Sequence, residues 1–69
     1  MKESGGFYSV VRTFLQQNKI RHRRIQNKFV LYYDSVSLDK LIWLSHIARQ
    51  FFKEPKYEFG LNSVVVEFV

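Results

Sequence analysis

Ile20-Arg21-His22-Arg23-Arg24-Ile25-Gln26, then Asn27-Lys28, then Phe29-Val30-Leu31-Tyr32-Tyr33, is the stretch on which the fold turns. Its second run is rich in β-branched and aromatic residues and too short for an ordinary helix. Asn27 stands between the two runs and tolerates the left-handed conformation that a tight turn requires. The reading is a hairpin with strands near 21–26 and 29–34 and its turn at Asn27-Lys28.

Upstream, Phe7, Val10, Val11, Phe14 and Leu15 recur at the spacing of one helical face, with Arg12, Thr13, Gln16 and Gln17 opposite. That helix runs from Gly6 to about Gln17, with Ser4 as its N-cap, residues 1–5 flexible, and Asn18-Lys19 as its close. Downstream, Ser37 is a natural N-cap for a second helix from Leu38 to about Lys53, because Pro55 disfavours helical geometry at Glu54. Beyond Pro55, Tyr57 and Phe59 alternate with Glu58. Gly60-Leu61-Asn62-Ser63 forms a turn, and Val64 to Val69 reads as a strong strand.

The order is α-β-β-α-β-β. The expected class is therefore α+β: one domain over residues 1–69, a four-stranded, mostly antiparallel sheet with two helices on one face. The order also reads as tandem αββ units over 6–34 and 37–69. In sequence, Val10–Lys19 lies over Ile47–Lys56, and Asn27–Leu31 over Asn62–Val66.

A chain of 69 residues buries only about 60% of its unfolded surface. With no cysteine it has no disulfide or thiolate metal staple. Its 46% hydrophobic and 17% aromatic content is the source of cohesion, since aromatics bury much area per residue. The apolar runs are too short for a signal peptide or a membrane span, which sets cytoplasmic as the expected location and excludes a membrane partner.

No catalytic constellation is present. The sequence has no Gly-rich phosphate loop, no cysteine nucleophile and no nucleophile elbow. His22 and His46 stand apart without metal-ligand spacing, and Asp34 after Tyr32-Tyr33 reads as a turn or cap residue. The expectation is a non-catalytic binding protein with no cofactor and no metal.

The net charge of +5 is unevenly placed. Residues 1–33 hold seven Lys and Arg against Glu3 alone, while residues 34–69 hold four against five acids. Lys19, Arg21, Arg23, Arg24 and Lys28, joined by His22, fall in one acid-free segment. If Ile25 points inward, alternation sends His22, Arg24 and Gln26 to the open sheet face, with Arg21 and Arg23 at the helix-side rim. Val30, Tyr32, Glu58, Val65, Glu67 and Val69 would share that face. Arginine supplies phosphate forks and Tyr32 could stack a base, whereas Glu58 and Glu67 would repel phosphate. The competing reading is an edge strand that uses charge to prevent unwanted pairing.

On the second helix Leu38, Leu41, Leu44, Ala48, Phe51 and Phe52 form an apolar stripe, with Trp43 and Ile47 well round toward the other side. That arc is wider than one packed face needs, so Trp43 and Ile47 are candidates for a protein contact.

Two functions follow. The first is a regulator that binds DNA or RNA through Lys19, Arg21, His22, Arg23, Arg24, Lys28 and Tyr32. The alternative is a protein-binding inhibitor or adaptor, such as a phage-encoded modulator of a host protein. It would act through Trp43 and Ile47, or through the basic patch against an acidic protein surface. Homodimerisation is compatible with both.

Overall fold

The computed structural model describes residues 6–69. Helix α1 spans Phe7–Gln17 and buries Phe7, Val11 and Leu15, the i, i+4, i+8 line of its apolar face. Its N-cap is Gly6, which is extended and offers no side-chain cap. Ser4, expected in that role, lies outside the described residues, as does the rest of segment 1–5. The other end closes at Asn18-Lys19 as the sequence reading has it. Lys19 takes a left-handed φ of 56°. The Lys19 N–H donates to Gln16 O at 3.1 Å and the Ile20 N–H to Leu15 O at 2.9 Å. This is a Schellman turn, and its apolar member Ile20 drops into the core beside Leu15.

Strands β1 (His22–Ile25) and β2 (Lys28–Tyr32) form the first hairpin. The turn is Gln26-Asn27, one residue earlier than expected, and the positive φ of 55° falls on Gln26 rather than Asn27. Lys28 is drawn into the ladder on both sides, opposite Ile25 and Glu67, so it cannot serve as a turn residue.

Helix α2 spans Leu38–Gln50, with Ser37 Oγ accepting from the Lys40 N–H at 3.4 Å. It ends three residues short of the expected Lys53. A second Schellman turn intervenes: Phe52 has φ 58°, and the Lys53 N–H donates to Ala48 O at 2.9 Å. Pro55 forbids helix at its predecessor, yet the chain must already have reversed by then, because β3 begins at Pro55 itself.

Strands β3 (Pro55–Phe59) and β4 (Ser63–Phe68) complete one sheet in the order β1-β2-β4-β3, with every pair antiparallel. Each αββ unit thus supplies one edge strand and one central strand. The two helix ends match at Lys19 and Phe52, a different correspondence from the sequence overlay, which placed Lys19 over Lys56.

The core is one cluster. Phe29 and Leu31 of β2 and Val64, Val66 and Phe68 of β4 project to one side. There they meet Phe7, Val11 and Leu15 of α1 and Leu41, Leu44 and Ala48 of α2. Both helices therefore cover one face of the sheet and leave the other open. Tyr57 ties β3 to α2: its hydroxyl donates to Leu41 O at 3.0 Å and lies 2.6 Å from Ser45 Oγ.

Candidate nucleic-acid interface

The alternation of β1 is the reverse of the sequence reading. Residues facing each other across an antiparallel ladder share a face. Arg24 is opposite buried Phe29 and His22 opposite buried Leu31, so both lie on the helix side. Arg23 faces Val30, and Ile25 faces Lys28, on the open side. Gln26 is in the turn. The cause is that β1 is an edge strand: Phe29 and Leu31 set the register, and a lone Ile25 at the hairpin tip cannot override two buried cross-strand positions. Ile25 is accordingly half exposed.

Arg24 acts as a cover for the core edge. Its guanidinium sits 4.6 Å from the centroid of the Tyr8 ring and 5.7 Å from that of Phe29. Its Nε donates to the turn carbonyl of Gln26 at 2.7 Å. His22 is held likewise, with Nδ1 donating to Ile20 O at 2.8 Å and its ring against Phe29. Arg21 is latched from three sides. Its N–H donates to Ser35 Oγ at 2.7 Å, its Nη1 meets Asp34 Oδ2 at 2.6 Å, and its guanidinium lies 5.3 Å from the Tyr32 ring centroid. One side of Tyr32, the expected stacking residue, is thus already in contact with an arginine of its own chain.

The remaining cations are differently placed. Among the described residues Arg21–Asp34 is the only ion pair. Lys19 at the end of α1, Arg23 on the open face, Arg24 at the rim and Lys28 at the hairpin tip are all exposed. Arg12 joins them. It lies one turn after Tyr8, on the flank of α1 that leans over β1, and it is exposed. From the sequence, Arg12 falls only on the polar side of its helix. Its i, i+4 spacing from Tyr8 carried the signal, but that signal becomes readable only once Tyr8 is known to cover β1.

Strand order separates the β1 cations from the acids, while Lys28 on β2 faces Glu67 directly. Neighbouring strands lie about 4.8 Å apart, so Glu67 on β4 is roughly 10 Å from β1 and Glu58 on β3 roughly 14 Å. Glu67 also stands between Lys28 and Lys56 in the register, a favourable cross-strand arrangement. The β1 edge, the hairpin tip and the neighbouring flank of α1 form the basic side of the molecule.

The protein-contact candidates divide. Ile47 is partly buried and packs on the core, whereas Trp43 is 62% exposed. The exposed apolar neighbour of Trp43 is Ile42, which is not among the sequence-expected contact residues. Leu38 and Phe52, expected in the buried stripe, are 71% and 96% exposed. Leu38 starts the helix beyond the core, and the left-handed turn at Phe52 throws its ring outward.

Among the described residues no group of three or more His, Cys, Asp or Glu side chains could hold a metal ion. No described helix is long and apolar enough to cross a membrane. Comparison with family models, curated proteins and solved structures gives no match to this chain.

Proposed function

We propose that this chain is a non-catalytic nucleic-acid-binding protein that grips the phosphate backbone with its β1 edge and hairpin tip. The observation that carries this reading is the grouping of Arg23, Arg24, Lys28, Lys19 and Arg12 toward the β1 edge, all exposed and none in an ion pair among the described residues, with only Lys28 facing an acid across the ladder. Cations so placed release condensed counterions when they meet phosphates, which is the main source of sequence-independent affinity. The Arg21–Asp34–Tyr32 arrangement supports backbone contact over base stacking, since sheet-type RNA readers present two or three free aromatic rings. Arg23 and Lys28 are the contact residues, and Arg24 and Arg12 add charge from the rim. Arg21, His22 and Tyr32 shape the hairpin that presents them. A cytoplasmic place of action accords with such a partner.

The test is fluorescence anisotropy with labelled duplex and single-stranded DNA and RNA over a salt series, comparing wild type with the Arg23→Gln/Lys28→Gln variant. Each phosphate contact removed lowers the slope of log affinity against log salt by about one, so the double variant should lose about two. Binding at moderate salt should weaken by about tenfold or more. An unchanged affinity and slope would remove the hairpin from the interface.

A further inference from the structure

We infer that the outer face of α2 is a self-association surface, on which a second copy of this chain packs with its own α2 antiparallel about a two-fold axis. Asp39, Ile42, Trp43, His46 and Gln50 line a shallow groove along this face, at the i, i+3, i+4, i+7 and i+11 positions of one helical stripe. It points away from the core that Leu41, Leu44 and Ala48 enter. Ile42 is 51% exposed and Trp43 62%, and the Trp43 and His46 rings meet edge to face at 6.0 Å. Two large apolar side chains lie side by side, and among the described residues nothing covers them.

Charge selects the occupant. The chain carries a net +5, and like charge opposes self-association over most of its surface. The α2 face differs: Asp39 stands in its first turn and Arg49 in its last, while Lys40 turns aside to donate to Asn18 O at 3.2 Å, so the outer stripe is acidic at one end and flanked by a cation at the other. A two-fold axis near Leu44-Ser45 brings Asp39 of each copy to Arg49 and Gln50 of the other, and Trp43 to His46. The face is self-complementary in the way an isologous interface requires. Antiparallel packing also opposes the two helix dipoles favourably. An acidic or basic foreign partner would leave one end of the stripe mismatched.

A helix of 13 residues offers a small interface, in the class below about 1,200 Å² in total. The dimer is therefore reversible and concentration-dependent. It leaves both open sheet faces and both basic edges outward. Its formation does not depend on the nucleic-acid reading.

The test is sedimentation velocity from micromolar to millimolar protein, followed in parallel by the emission of Trp43, the single tryptophan. Wild type should shift from monomer to dimer with a blue shift in emission over the same range. Trp43 and Ile42 are outside the core, so Ile42→Glu should stay folded and monomeric, with no such blue shift. Asp39→Arg or Arg49→Asp alone should weaken the dimer, and Asp39→Arg/Arg49→Asp together should restore it. A wild type that stays monomeric throughout would overturn the inference and leave the face to another protein. So would a dimer that survives Ile42→Glu, or a charge swap without rescue.

Discussion

Arg23 and Arg24 are adjacent in sequence and do different things. Arg24 lies over Tyr8 and Phe29 and bonds the Gln26 carbonyl, whereas Arg23 stands on the open face opposite Val30. An exposed cation over a ring contributes about 0.5–1 kcal/mol. Arg24→Ala should therefore lower unfolding free energy by about 1 kcal/mol once the lost bond to Gln26 is included. Arg23→Ala should leave stability nearly unchanged in urea titration. Equal effects on stability would contradict the strand phase described above. Composition and spacing could not separate the two arginines, because alternation along β1 is known only relative to an anchor, and Ile25 was the wrong one. The anchor is Phe29 on the neighbouring strand, which a one-strand reading does not contain.

Phe52 makes the same point about backbone. It is 96% exposed and takes φ 58°, where a β-carbon is strained and glycine is not. Phe52→Gly should raise stability by about 0.5–1 kcal/mol, read as a higher melting temperature. A fall would mean that the ring supports the turn. Nothing in the local sequence announced a left-handed residue at Phe52 or Lys19, since glycine or asparagine is the usual marker.

Elements were more legible than residues. Five apolar residues at helical spacing gave α1, Ser37 gave the start of α2, and the valine run gave β4, because each rests on a periodicity carried within one segment. The ends that moved were those decided between segments. Lys28 joined β2 because Glu67 and Ile25 pair with it, and α2 stopped at Gln50 because β3 begins at Pro55. The apolar arc of α2 was visible, but its division was not. The core takes Leu41, Leu44 and Ala48 and part of Ile47, and leaves Ile42 and Trp43 outside. The sheet also treats its two edge strands differently. On β1, charge and the twist of a short hairpin discourage pairing with another chain, while β3 opens on Pro55, which has no N–H to offer.

At the scale of the whole molecule, the order β1-β2-β4-β3 places the two αββ units side by side with β1 and β3 outermost. The β1–β2 hairpin is basic. The other carries Glu58 and the exposed rings and methyls of Phe59 and Leu61. A charge asymmetry that is only a bias along the sequence thereby becomes a division between two sides of the molecule. On the proposed function the basic side is where nucleic acid lies, and the outer face of α2 is left for a second copy.

The most direct test of that central proposal is amide chemical-shift mapping during titration with a short duplex at moderate salt. The expected shifts gather at Lys19, along His22–Lys28 and on the Arg12 flank of α1, while Ile42, Trp43 and His46 stay in place. Shifts centred on the α2 face with the hairpin silent, or no shifts at all, would contradict it.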